Sequence, residues 1–277
     1  AALAEADLSR SGPHRERQLV GVPVEPVRRD TQDVCCFPDR KARITWLVRE
    51  FARDHRVVIV DYRGTGLSGK PSNKYSTDMF ADDAATVLDH LELEGAVVCG
   101  HSMGGRVAQL LALDHPRKVS KLILASSGAA HPGDRGIPLR IAKEMVEMGY
   151  ERYVREHTIV VGWTEVYARN HINLIEKYLQ VRMANLCPVE FYFRHVLARQ
   201  EHDTSARLKD IKVPTLIFVG DDDHFVVSDM SHRSGADILA KGIPNSKLVV
   251  LPGERHSYFY TEPEKVHGMI REFLKES

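Results

Sequence analysis

The sequence predicts an α/β fold in which a mostly parallel, doubly wound sheet is covered by helices on both faces. Short apolar runs with the length of buried strands alternate with helical patterns from Arg56 onward, and this alternation is typical of a parallel sheet. One of these runs leads through a tight glycine-rich turn directly into a helix. The apolar runs are residues 57–60, 96–99, 122–125, 215–219 and 248–251.

The helices that connect these strands begin with recognisable residues. Ser76 and Thr77 are good capping residues, and they open a helical pattern that continues to Leu91. A second helix covers residues 107–113, and the last covers about 263–274. The first 45 residues carry weaker patterns, with strand candidates at 19–24 and 34–37, and we expect residues 1–17 to be mobile.

One stretch interrupts the alternation of strands and helices. Between Ser126 and Val213 the sequence contains helical patterns and polar turns but no buried strand. Residues 137–148 and 174–183 are amphipathic, and residues 159–161 continue a helix. A normal crossover needs only one helix, so we predict a helical cap of residues 130–211. The core would then be formed by residues 1–129 and 212–277.

Composition excludes several classes of partner. The 277 residues contain 38 basic and 38 acidic side chains, and this balance favours neither nucleic acid nor an anionic membrane as a partner. The longest apolar runs are too short to span a bilayer. Four cysteines do not form a disulfide framework in a chain of this length, so we expect reduced cysteines and a cytoplasmic location.

The glycine-rich turn has the pattern Gly-x-Ser-x-Gly, from Gly100 to Gly104. A strand, this turn and a helix in succession form a nucleophile elbow, which exposes the central hydroxyl above the sheet. Ser102 is therefore the candidate nucleophile. The Met103 amide lies at the start of the following helix, where it can stabilise developing negative charge.

A serine nucleophile needs a base, and the base needs an acid that orients it. On this architecture both follow the serine in the chain, on loops after later strands. His256 follows the last strand and is the candidate base. Asp221, Asp222 and Asp223 compete as the acid; Asp223 lies deepest in its loop, and the other two are also suited to binding turn amides.

These motifs together resemble the α/β-hydrolase superfamily. Residues 60–68 are similar to its Asp-x-Arg-Gly-x-Gly-x-Ser turn, and the resemblance extends over about residues 45–277. It implies that Asp223 is the acid and His256 the base. The surroundings of Ser102 resemble the branch of enol-lactonases, carboxylesterases and carbon–carbon bond hydrolases, whereas dehalogenases and epoxide hydrolases of this fold have an aspartate at that position.

The sequence departs from the family before this turn. The family has a His-Gly pair after an early strand, and a following amide completes the oxyanion hole. Here Cys35-Cys36-Phe37-Pro38 stands in the corresponding place. The resemblance therefore implies Phe37 as the second donor, because Pro38 has no N–H.

The predicted activity is that of a serine hydrolase acting through an acyl-enzyme on an ester, a lactone or a similar small, apolar carbonyl substrate, without metal or organic cofactor. Candidate pocket residues are His101, Trp163, Tyr167 and Phe191, although buried aromatic residues of this kind also form cap cores. Alternatives with the same side chains are a carbon–carbon bond hydrolase or a cofactor-free perhydrolase. A non-catalytic binder or receptor on the same scaffold is the alternative outside enzymes.

Overall fold

The computed structural model describes residues 33–37, 45–130, 136–224 and 231–276, with side chains from residue 47 onward. Within these ranges six strands form one sheet in the order β2-β1-β3-β4-β5-β6, and every neighbouring pair is parallel. The strands are β1 (Asp33–Phe37), β2 (Arg56–Ile59), β3 (Ala96–His101), β4 (Val119–Ala125), β5 (Thr215–Gly220) and β6 (Ser246–Leu251). The predicted fold class is confirmed.

Eleven α-helices are found among the described residues. Six of them accompany the sheet: α1 (Thr45–Phe51), α2 (Thr77–His90), α3 (Met103–Asp114), α9 (His232–Gly242), α10 (Tyr258–Thr261) and α11 (Pro263–Lys275). The other five lie between β4 and β5: α4 (Ile137–Met148), α5 (Tyr150–Gly162), α6 (Glu165–Asn170), α7 (Ile172–Ala184) and α8 (Val189–Glu201).

Successive residues of the central strands are buried in two different cores. Leu122 and Leu124 pack with helices α2, α3 and α9, whereas Ile123 and Ala125 pack with α1, α10 and α11. This division follows from the two-residue period of a strand. It explains why these strands are continuously apolar in sequence, since each face of the sheet is covered by helices.

Local signals placed most elements correctly. Four of the five apolar runs and the run at 34–37 lie entirely within strands, which extend one to three residues beyond some of the predicted ends. The run at 57–60 overlaps β2, which ends at Ile59. Ser76 caps α2 through a hydrogen bond from the Met79 amide at 3.2 Å. The predicted strand at 19–24 and the predicted mobility of residues 1–17 lie outside the described residues. Among the described helices, none is long and apolar enough to cross a membrane.

The two ends of the segment that carries the five helices between β4 and β5 lie side by side. Ala130 and Asp203 form an isolated antiparallel bridge, and the Thr204 amide donates to the Ala129 carbonyl at 2.8 Å. The insertion has two apolar clusters of its own, one around Tyr153 and one around Trp163. The division into a core and a cap with boundaries at 130 and 211 remains a prediction.

Candidate active site

Ser102 lies between β3 and α3 in a backbone conformation that L-residues rarely adopt, with φ of 58° and ψ of −118°. Such a conformation costs about 1–3 kcal/mol and persists only where its surroundings enforce it. Two glycines allow the close packing of the segments that hold it. A Cβ at Gly100 would collide with the backbone of Gly104, and a Cβ at Gly105 would lie 2.5 Å from the Ser127 Cβ. The Ser102 amide is fixed by a 2.8 Å hydrogen bond to the Ala125 carbonyl.

Asp223 and His256 lie on neighbouring loops at the same edge of the sheet as Ser102. Because β3, β5 and β6 are parallel, their carboxyl ends share one edge. Both oxygens of the buried Asp223 carboxylate lie near His256 Nδ1, Oδ1 at 3.1 Å and Oδ2 at 3.0 Å. This contact occupies Nδ1 of the imidazole and directs Nε2 to the opposite side of the ring, away from the carboxylate.

The neighbour of Ser102 contacts the same imidazole. The rings of His101 and His256 have centroids 4.3 Å apart, and His101 Nε2 donates to the His256 carbonyl at 3.0 Å. His101 also packs edge-on against Phe259. The elbow and the histidine loop are therefore packed together through His101, which was predicted only as a pocket residue.

The other two aspartates of the loop are bound elsewhere. Asp221 Oδ1 accepts from the Gly253 amide at 2.6 Å, while Asp222 pairs with Arg255 at 2.7 Å and with His224 at 2.9 Å. Of the three competing aspartates, the structure therefore brings Asp223 to His256.

A second histidine binds the same carboxylate, and the sequence analysis missed it. His232 Nδ1 lies 2.8 Å from Asp223 Oδ1, and the His232 amide donates to the Asp223 carbonyl at 3.0 Å. His232 is the first residue of α9 and is buried. No local pattern marks it, because the contact depends on where α9 begins relative to the loop of Asp223.

These two histidines decide the charge of Asp223. Burial by itself raises the pKa of a carboxyl group. Electrostatic attraction and hydrogen bonds from His232 and His256 outweigh that effect, so the pKa of Asp223 lies well below its usual value. The carboxylate is therefore ionised at neutral pH and able to orient the Nδ1–H of His256.

The two candidate oxyanion donors lie near the elbow. Met103 opens α3, so its amide is among those without a partner inside the helix. Phe37 is the last residue of β1 and pairs in register with Gly100, two residues before Ser102. Their joint role in binding an oxyanion remains a prediction.

The remaining pocket candidates are distributed over the insertion. Trp163 is buried against Tyr178 and Tyr260, which is the cap-core environment considered as the alternative. Tyr167 is half-buried and packs against this cluster. Phe191 is buried against Tyr75, where α8 meets the core. Contact of these side chains with a substrate remains a prediction.

One group of described side chains has the composition of a metal site. Asp223, His232 and His256 each offer one ligand atom, and these atoms lie within 4.8 Å of one another. In the structure the same atoms are joined by hydrogen bonds between imidazole and carboxylate. The hydrogen bonds account for the cluster without an ion.

The comparisons with known proteins identify the family of the chain. A family model described as the alpha/beta hydrolase fold matches residues 40–158. A protein of Caulobacter segnis named "Putative carbamate hydrolase RutD" is 31% identical over 224 residues, which cover 79% of this chain and 81% of the relative. The chain belongs to the α/β-hydrolase superfamily and is a hydrolase.

Two solved structures extend the comparison. A thermophilic esterase from Thermogutta terrifontis is 28% identical with a TM-score of 0.74, and the match covers 89% of this chain and 92% of the esterase. The enol-lactonase from Burkholderia xenovorans LB400 has a TM-score of 0.78 over 92% of this chain and 95% of the lactonase. At 20% identity, the lactonase supports the shared fold alone.

Proposed function

We propose that the chain is a serine hydrolase that cleaves an ester, a lactone or a related carbonyl compound through an acyl-enzyme. The observation that carries this proposal is the buried Asp223 carboxylate at 3.0 Å from His256 Nδ1, at the edge of the sheet where the elbow presents Ser102. An imidazole held in this way is suited to accept a proton at Nε2.

In the proposed reaction the Ser102 hydroxyl attacks the carbonyl carbon while His256 takes its proton. The negative charge on the carbonyl oxygen is bound by the amides of Met103 and Phe37. Collapse of the tetrahedral intermediate expels the leaving group, which receives the proton from His256. A water molecule, activated by the same imidazole, then hydrolyses the acyl-enzyme and regenerates Ser102.

The substrate is proposed to be small and apolar around its carbonyl, because α5 of the insertion borders the loop of His256 and small-molecule pockets are mostly lined by apolar side chains. Carbamates belong to the same carbonyl class, and the name of the Caulobacter relative refers to one. A first panel therefore contains p-nitrophenyl acetate and butyrate, a simple lactone and an alkyl carbamate.

A cytoplasmic location remains part of the proposal.

The test combines covalent labelling with turnover. A fluorophosphonate probe should label the protein, and Ser102→Ala should abolish both labelling and hydrolysis of p-nitrophenyl butyrate. Ser120→Ala is the matched control, because Ser120 is exposed on β4, and it should behave like the unsubstituted protein. Labelling that persists in Ser102→Ala, or stoichiometric binding of the substrates without turnover, would refute the assignment.

A further inference from the structure

The carboxyl end of α5 is bonded directly to the loop that carries His256. A helix leaves its last four carbonyls without partners inside the helix. In α5 three of these four receive hydrogen bonds from three consecutive residues of the histidine loop. The pairs are the Val160 carbonyl with Arg255 Nη1 at 2.8 Å, the Val161 carbonyl with the His256 amide at 3.3 Å, and the Gly162 carbonyl with the Ser257 amide at 3.1 Å.

Arg255 connects this helix end to the acid loop as well. Its Nε donates to Asp222 Oδ2 at 2.7 Å, and Asp222 directly precedes Asp223. Although burial raises the pKa of Asp222, the hydrogen bond and charge of Arg255 lower it below its usual value. The guanidinium also lies at the negative end of the α5 dipole, which favours a cation. One side chain thus joins three segments of the chain.

The end of α5 and the histidine loop are so close that position 162 has no room for a side chain. A Cβ at Gly162 would lie 2.8 Å from Ser257 Oγ and 3.7 Å from Ser257 Cβ. Ser257 is itself buried, with 4% of its surface exposed. The histidine loop is therefore packed directly against the end of α5 on one side, while His256 contacts Asp223 on the other.

We propose that Arg255 is a positioning residue and that, with the carboxyl end of α5, it holds His256 and Asp223 in register for catalysis. The inserted helices would then act on the rate of the chemical step in addition to any contact with substrate. The inference rests on the proposed function, because it assigns the positioned imidazole as the base. A displacement of about 1 Å at such a group costs about 100-fold in rate.

The main test substitutes Arg255→Met, which keeps the aliphatic stem and removes the donors. Arg271→Met is a matched control, since the two arginine side chains are 28% and 31% exposed and each donates Nε to a carboxylate. Arg271 lies on α11 and pairs with Glu50 of α1. The readouts are kcat and KM for p-nitrophenyl acetate, the rate of fluorophosphonate labelling, and the downfield proton resonance of His256 Nδ1–H.

For Arg255→Met we expect kcat and the labelling rate to fall about 10- to 100-fold, with KM nearly unchanged, and the Nδ1–H resonance to shift or broaden. Arg271→Met should leave all of these unchanged. Arg255→Lys, which keeps the charge and a hydrogen-bond donor, should recover part of the lost rate. A kcat and a resonance in Arg255→Met equal to those of Arg271→Met would overturn the proposal, even if both variants melt at lower temperature.

A second pair of variants addresses the backbone contact. Gly162→Ala directs a methyl group at Ser257 Oγ and should lower kcat, and adding Ser257→Ala, which removes that oxygen, should restore most of it. Failure of the double variant to recover counts against the contact. If the unsubstituted enzyme shows neither turnover nor labelling, the proposed function fails by itself. In that case the Nδ1–H resonance of Arg255→Met still decides whether Arg255 positions His256 against Asp223.

Discussion

The buried histidine His202 should make the stability of the protein fall steeply with acid. His202 is 4% exposed, and its Nδ1 lies 2.9 Å from the Thr77 hydroxyl of α2. Burial, assisted by the charge of the nearby Arg106, lowers the pKa of His202 from 6.5 to about 3. The native state therefore keeps the imidazole neutral at a pH where the unfolded chain protonates it.

The direction and size of the pH effect on the free energy of unfolding follow from the difference between the native and unfolded pKa of His202. Above pH 6.5 both states are neutral at this side chain, and its contribution to stability is fully present. As the pH falls below 6.5 the unfolded state binds a proton that the native state does not, so the free energy of unfolding decreases until pH approaches 3. Between pH 7.5 and 5.0 this linkage amounts to about 2 kcal/mol. That is a large part of the total stability of a typical domain.

Urea unfolding followed by tryptophan fluorescence, at several values between pH 7.5 and 5.0, measures this effect. His202→Gln should be less stable at pH 7.5, because it disturbs a buried site, but should lose about 2 kcal/mol less than the unsubstituted protein on acidification. His90→Gln, at an exposed position of α2, serves as the control with unchanged pH dependence. Parallel curves for His202→Gln and the unsubstituted protein would refute the reasoning.

Three further predictions concern the site itself. Removing the imidazole of His232 (His232→Ala) should lower the free energy of unfolding by about 1.5–3 kcal/mol at pH 7, since it deletes a hydrogen bond to a buried carboxylate; chemical denaturation measures it. Asp223→Asn should lower kcat about 10⁴-fold while leaving the fold intact by circular dichroism, because the amide does not orient the required tautomer. Gly105→Ala should destabilise the protein by about 1–3 kcal/mol through overpacking against Ser127. Gly268→Ala is the control and should not destabilise the protein in this way, because nothing lies within 4 Å of the new methyl group. Equal melting temperatures for Gly105→Ala and Gly268→Ala would contradict the prediction.

Most of the sheet was predictable because its signals are local. A strand buried on both faces requires an uninterrupted apolar run, and such runs are visible in single stretches of sequence. The elbow was equally visible, since Gly100 and Gly105 are needed wherever β3 and α3 approach so closely. The run at 34–37 was the weakest of these signals, yet it occupies a place between two other strands.

Part of the site could not be found in this way. His232 reaches Asp223 only because α9 begins beside the acid loop. The aromatic residues of the insertion illustrate a second limit. Trp163 and Phe191 are of residue types common both in apolar pockets and in cores, and the structure places both in buried clusters. Composition alone does not distinguish a pocket wall from a core.

The sequence by itself predicted the fold class, Ser102 as the nucleophile and His256 as the base, because the elbow and the strand ends are recognisable in short stretches. It left Asp221, Asp222 and Asp223 as competing acids, and only the resemblance to the superfamily implied Asp223. Only the tertiary structure decided that Asp223 serves two histidines and that the end of α5 bonds to the loop of His256. Asp223 and His232 are only nine residues apart, but their contact depends on where α9 begins. The contacts of α5 join segments far apart in sequence, and they leave no sequence pattern because the accepting groups are main-chain carbonyls.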